Sequence, residues 1–348
     1  MHKSNSPIPT PDSGLTLNLP QLLAVSPVLL DGLRHRGVAL PALEALLSRG
    51  QWEAAVTNDG GAWPQAALAL LGEGGQPGDA YLLRVDPVHL QADQDHLLLW
   101  DSATIDLTES ESRDLVAAFN AHFGDDGLSL ERMSPDRWYL RLPDALEVET
   151  RSPLEVSGRN LFHFMPSGPD RSRLEQLINE TQMLFHDHPV NHARREAGQM
   201  PVSGIWPWGG GRLSQAVTPP PWSRVMADDP IFRGLAIHHG LKQAPLPADA
   251  DEWAKEPIQG QDFLHLEQGG LAARMGDEPA WLAALEALER DWFQPLSRLL
   301  LRGQLKQLRL QLGALGVVVL SPWGRRRFWR RRVLLPDWIE GHRENRSQ

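Results

Sequence analysis

The spacing of apolar positions along this chain changes several times, and each change predicts an element. From residue 15 to about 72 the period is helical: in LPALEALLSRG, Leu40, Leu43, Leu46 and Leu47 recur at intervals of three and four before a glycine stop. AWPQAALALLG repeats the device, with Pro64 near a helix start and Gly72 at its end. After PGD at 77–79 the pattern becomes strand-like: AYLLRVDPVHLQAD and HLLLW are joined by an ADQD turn. In DLTESESRDLVAAFNAHFGDDG, Thr108 precedes Glu111 by three residues, a capping box that opens an amphipathic helix, and RWYLRLP is a further strand. Strand, strand, helix, strand in this order predicts a small α+β subdomain, placed here at residues 80–165.

Beyond it, PDRSRLEQLINETQMLFHDH reads as a helix with Leu174, Leu177, Ile178, Met183 and Leu184 inward. VSGIWPW, FRGLAIHHG and DFLHLEQ read as short core strands. A long helix over 278–302 carries Trp281, Leu285, Leu288, Trp292, Leu296 and Leu299 at helical spacing, and LKQLRLQLGALGVVVL reads as a hairpin. The expected organisation is a disordered N-terminus at 1–14, an α/β core at 15–79 and 166–323, the insertion at 80–165, and an Arg-rich C-terminal segment at 324–348.

Composition narrows the chemistry. The 348 residues include no cysteine, which excludes disulfides, thiolate metal sites and cysteine nucleophiles. No apolar run approaches the length of a membrane span, and no export signal is visible, so a cytoplasmic protein without a membrane partner is expected. Residues 324–348 hold eight arginines against Asp337, Glu340 and Glu344, a net of +5, which leaves −15 on the remainder of a chain of net charge −10. In GRRRFWRRR the alternation around Phe328 and Trp329 suggests a final strand docked on the acidic body with its arginines paired internally. The same acidic body weighs against nucleic acid as a partner.

The stretch HDHPVNHARREAGQMPVSGIWPWGGG raises the sharpest questions. Imidazoles and a carboxylate suit zinc or manganese, and His186, Asp187, His188 and His192 lie close in sequence. Pro189, however, opens a new helix, which leaves His186 in the preceding turn and supplies no partner at helical spacing. His238 and His239, at an expected strand end, are either ligands or core residues. Gly209, Gly210 and Gly211 with Arg212 could present N–H groups and a guanidinium to an anion, or could form a tight crossing packed by Trp206 and Trp208. No Gly-x-Ser-x-Gly elbow, P-loop or dinucleotide fingerprint is present.

In the same order, LPALEALLSRG, AALALLG, PGDAYLLRVDPVHLQAD, LTESESRDLVAAFNAHFGDDG and HPVNHARREAGQMPVSGIWPWGGG resemble the archaeal-type cofactor-independent phosphoglycerate mutases of the alkaline phosphatase superfamily. With WPWGGG and the terminal RFWRRR, the chain resembles more closely the bacterial RpfE-type regulatory proteins. The motif HPVN..R...G..P is carried by His188, Pro189, Val190, Asn191, Arg194, Gly198 and Pro201.

The resemblance implies a three-layer α/β/α core with an inserted α+β subdomain. It also implies a serine nucleophile at a helix start, and two divalent metals held by Asp and His at strand ends. Here Trp63 and Pro64 stand where that serine and its aspartate belong, GGLAARMGDE and VVVLSPWG replace two ligand segments, and Ser203 replaces an asparagine. Asp31 and Gly32, the remaining Asp-Gly pair, lie nine residues before Leu40, closer than in the family.

The expectation is a catalytically inactive, cofactor-free protein with no catalytic or metal-binding residue. His188, Asn191, Arg194 and the WGGGR run would then serve packing or bind an anion, with a phosphorylated small molecule or a protein as partner. One alternative is an active metal-dependent phosphotransferase with ligands drawn from Asp31, His186, His188, His238, His239 and His265. Another is a scaffold whose Arg-rich end contacts an anionic partner.

Overall fold

A computed structural model describes residues 13–54, 63–93, 96–156, 161–214, 217–258, 260–325 and 330–344. Among them are the strands β1 Ser13–Asn18, β2 Gln51–Glu53, β3 Tyr81–Asp93, β4 His96–Trp100, β5 Ser129–Ser134, β6 Arg137–Leu142, β7 Gly204–Gly211, β8 Arg224–Met226, β9 Lys242–Gln243, β10 Gly260–His265, β11 Leu308–Gln311 and β12 Val317–Leu320. The chain divides into two units, the first made of residues 1–59, 220–228 and 239–348 and the second of 60–219 and 229–238. The class is α/β.

The first unit holds a seven-stranded sheet in the order β2-β12-β11-β1-β10-β8-β9. β1 pairs in parallel with β10 and β11, and β10 with β8, whereas β12 runs antiparallel to β11 and to β2. SGLTLN, expected to be disordered at its first two residues and helical after them, is the central strand instead. Leu15 and Leu17 are wholly buried and Thr16, on the opposite face, nearly so. A parallel strand covered on both faces loses the alternation that marks a strand in sequence. The N-terminal dozen residues lie outside the described ones.

Helices Pro27–Arg36, Pro41–Arg49, Glu278–Leu288, Gln294–Leu301 and Leu335–Glu344 share one apolar core with Leu15, Leu17, Leu264, Leu308 and Leu310 of the sheet. The helix expected over 278–302 is two helices separated by a π turn, Glu289–Phe293, just before Pro295, which has no N–H to continue the ladder. Within that turn the buried Glu289 carboxylate accepts from the N–H groups of Ala42 (2.7 Å) and Leu43 (2.9 Å). It thus satisfies two orphan donors at the positive end of helix Pro41–Arg49.

A helix, Leu335–Glu344, packs on this core near the C-terminus, whereas the strand expected around Phe328 and Trp329 falls outside the described residues. Leu335, Trp338 and Ile339 are buried, at the one-face spacing that Arg-rich sequence before them obscures. Arg330 donates to the carbonyl of Gly50 at 3.1 Å, and Arg332 lies 3.1 Å from Glu44.

The second unit is built on the sheet β4-β3-β6-β5, with β7 added antiparallel to β3. The unit is wider than the 80–165 insertion expected, because VSGIWPW joins this sheet rather than the large one and buries Trp206 and Trp208. FRGLAIHHG is not a strand but the helix Pro230–His239, with the Asp229 carboxylate accepting from Ile231 N at 2.7 Å across its first turn. This helix crosses Gln65–Gly72 at a distance only glycine permits: a Cβ on Gly234 would stand 1.7 Å from the Leu68 carbonyl oxygen, and one on Gly72 2.0 Å from that of Pro230. The capping box forms as read, Glu111 N donating to the Thr108 hydroxyl and Thr108 N to the Glu111 carboxylate.

Candidate functional site

In the second unit the HPVN..R motif works as a latch. Helix Arg171–His186 ends, Pro189 restarts the chain as Pro189–Glu196, and the His188 Nδ1 caps the new helix by accepting from Val190 N at 3.3 Å. Burial pushes the His188 imidazole pKa down against a weaker upward pull from Asp114. Asn191 replaces a strand neighbour for Val202, accepting from its N–H and donating to its carbonyl, both at 2.8 Å, while also donating to Phe185 O at 2.7 Å.

Arg194, 1% exposed, spends its guanidinium on Met200 O (2.7 Å), the Glu111 carboxylate (2.8 Å) and Ile105 O (2.5 Å). Burial disfavours the charged Glu111 carboxyl, but bonds from Thr108 and Arg194 outweigh it and hold the group below its usual range. The glycine run has a packing role. Gly209, at φ +66, makes a bulge in β7, and a side chain on Gly210 would meet the Tyr81 hydroxyl at 2.4 Å. Arg212 donates to the carbonyl of Asp79.

The remaining imidazoles named above are dispersed. His186 ends its helix on the surface, His192 is exposed with its ring 3.5 Å from Arg195, and His238 and His239 occupy the last turn of Pro230–His239. Among the described residues none of these four, nor His188, joins a ligand-spaced group of imidazoles and carboxylates. Asp31 lies mid-helix and exposed, paired with Arg34 at 3.1 Å, so it stands at no strand end. Pro64 precedes helix Gln65–Gly72, whose first turn offers Gln65, Ala66 and Ala67 and no nucleophile.

The parallel strands of the first unit bring a different group together. β1 and β10 end side by side at Asn18 and His265, where the Asn18 Nδ2 donates to the His265 Nδ1 at 3.0 Å. An amide nitrogen only donates, so Nδ1 is the acceptor, and the proton of the neutral ring sits on Nε2, which faces the Glu267 carboxylate at 3.4 Å. His265 is 5% exposed and the Glu267 side chain 69%, so a buried imidazole connects a half-buried amide to a solvent-facing carboxylate.

Beside them opens a cleft of about 500 Å³ lined by Asp228, Leu246, Pro247, Glu267, Gln268 and Trp292. The crevice outside the carboxyl ends of parallel strands is where open α/β sheets take ligands. This one presents two carboxylates and, among the described residues, no lysine or arginine, a potential that favours cationic or hydrogen-bond-donating groups over free anions. Sequence reasoning named His265 but missed Asn18, Asp228 and Glu267. The signal for Asn18 was its place at the end of SGLTLN, once that stretch is a strand. A second group it missed is structural: Asp262, buried on β10, holds Arg224 of β8 through two oxygens and accepts from Trp253 Nε1 at 2.9 Å.

No family model matches the chain. Sequence comparison pairs it with the probable 2,3-bisphosphoglycerate-independent phosphoglycerate mutase of Geobacter sulfurreducens, 27% identical over 233 residues that cover 61% of this chain and 58% of that protein. The 2,3-bisphosphoglycerate-independent phosphoglycerate mutase of Methanosarcina barkeri is 29% identical over 154 residues, 42% of this chain and 38% of that protein. The homologues of this chain are 2,3-bisphosphoglycerate-independent phosphoglycerate mutases. The matched stretches thus span less than two thirds of these relatives' own length. Among solved structures, the cofactor-independent phosphoglycerate mutase from Thermoplasma acidophilum aligns over 94% of both chains with a TM-score of 0.45 and 14% identity.

Proposed function

We propose that this chain is a non-catalytic relative of the mutases, a cytoplasmic protein of the RpfE-type regulatory kind whose strand-end cleft binds rather than transforms its ligand. The observation that carries the reading is the pair at the ends of β1 and β10. Asn18 is a neutral amide, and by donating to His265 Nδ1 it leaves the ring proton on Nε2, the nitrogen that faces the cleft's carboxylate. Ligation of a metal through Nε2 would require the ring proton to move to Nδ1 and the Asn18 amide to turn over so that its oxygen accepts it. Trp63 and Pro64 before helix Gln65–Gly72 support the same reading, since neither side chain can ionise to attack phosphorus.

A second reading has its own observation. His265 and Glu267 are donors of a kind that holds divalent cations and face each other at 3.4 Å, so a relocated metal site would be started by these two. Purified full-length protein decides between them through metal analysis and a phosphoglycerate mutase assay, with manganese added after chelation. The expected result is no stoichiometric divalent metal and no turnover above a heat-killed control. Turnover restored by manganese and abolished by His265→Ala would establish the second reading instead.

A further inference from the structure

Three charged side chains stand side by side across the parallel strands of the first unit. Arg224 of β8 is in register with Asp262 of β10 on one side and with Lys242 of β9 on the other. Residues in register point to the same face of a sheet, so the row reads Asp262, Arg224, Lys242. Asp262, buried on β10, holds Arg224 through both of its oxygens and neutralises it. Lys242 lies on the far side of Arg224 from that carboxylate, and two cations side by side on one face repel.

The anion that balances this row comes from outside the sheet. One carboxylate oxygen, Glu256 Oε2, pairs with Arg224 Nη1 and stands 3.8 Å from Lys242 Nζ. Glu256 follows the short helix Ala250–Trp253 and its side chain is 60% exposed, whereas that of Arg224 is 7% exposed. The guanidinium is therefore built into the fold, while the carboxylate set on it is free to turn into water. The pair also borders two cavities. One, of about 300 Å³, is lined by Ser223, Lys242 and Pro257 besides the pair, and the other, of about 230 Å³, includes Met226, Leu246 and Trp253.

We propose that Arg224 and Lys242 form a binding site for the oxyanion of a small molecule, a carboxylate or a phosphate, with Glu256 as its built-in occupant. Asp262 fixes the guanidinium plane, so that Nη1 meets a second oxyanion in a set direction. Glu256 itself shows the chemistry that the seat accepts, and the two cavities give the rest of the molecule room beside it. Burial of Arg224 keeps out a bilayer or a nucleic acid, whose phosphates cannot enter a recess of this size. The seat lies at the starts of β8 and β9, whereas Asn18 and His265 end their strands, so it is separate from the strand-end cleft and does not depend on how that cleft is read.

The test is thermal unfolding of the full-length protein at constant ionic strength, with acetate or inorganic phosphate exchanged for chloride. Glu256→Ala, altered at an exposed position, empties the seat, and its Tm should rise saturably with the probe, because a ligand that binds only the folded state stabilises it by mass action. A rise in acetate assigns a carboxylate ligand, and a rise in phosphate alone assigns a phosphate. The parent should bind the same probe about fivefold more weakly, the competition that a half-exposed ion pair offers. Adding Lys242→Ala to Glu256→Ala should remove the rise. No rise with either probe, an equal rise in the double variant, or a parent that binds as tightly as Glu256→Ala would overturn the proposal and leave Glu256 a purely structural partner of Arg224.

Discussion

Replacing Arg194 by methionine keeps most of the side-chain volume and removes the guanidinium from a site that is 1% exposed. Three acceptors lose their donor at once: Met200 O, Ile105 O and the Glu111 carboxylate. Glu111 keeps Thr108, whose N–H and hydroxyl donate at 2.9 and 2.8 Å, so its loss is partial. The Ile105 carbonyl is left as an orphaned buried polar group, which costs about 1–3 kcal/mol, whereas Met200 is 37% exposed and its carbonyl loses less. The sum is about 3–5 kcal/mol, the usual cost of breaking a buried pair by removing one member. For a unit of about 150–250 residues each kcal/mol lowers Tm by roughly 2–4 °C, so far-UV circular dichroism should show the second unit melting about 10 °C earlier or more.

The pH dependence has a definite sign. Because Glu111 is held below its ordinary value, the stability it contributes is present above about pH 4.3 and is lost as pH falls through the folded-state value. Part of that depression comes from Arg194, so the acid limb should be shallower in Arg194→Met. A double-variant cycle with Glu111→Gln should return a coupling of about 1–3 kcal/mol. A Tm within 2 °C of the parent, with an unchanged acid limb, would refute the latch and leave Arg194 available to a ligand.

Two further changes test the architecture. Gly234→Ala puts a methyl group onto the Leu68 backbone, which side-chain motion cannot relieve, and should cost about 1–3 kcal/mol or more in thermal or urea unfolding; a neutral result would mean that the two helices cross farther apart. Trp338→Ala empties the buried face of helix Leu335–Glu344 and should speed tryptic cleavage at Arg330–Arg332 while the body survives. Unchanged cleavage would show that other contacts hold the segment.

Signals with a local physical cause were legible along the chain. Thr108 and Glu111 announced a helix start because both partners of a capping box lie within one turn, and the Leu308–Gln311 and Val317–Leu320 hairpin followed from short apolar runs around a glycine turn. The helices Pro41–Arg49 and Gln65–Gly72 were legible from their spacing and their glycine stops. HPVN..R stood out as a motif, although its residues do not declare in sequence that their donors are consumed by Val202, Met200, Ile105 and Glu111.

What only the tertiary structure decided is which segments become neighbours. Ser13–Asn18 is a strand because β10 and β11 flank it on either side, and Gly204–Gly211 leaves the large sheet because β3 offers it a longer partner. The closeness of Gly234 to Leu68 is likewise invisible until two helices cross. The candidate site belongs to the same class: Asn18 and His265 are 247 positions apart, and no periodicity links them. Periodicity records which face of an element is buried, whereas the partner on that face is set by packing between distant segments, which leaves no local trace in the residues themselves.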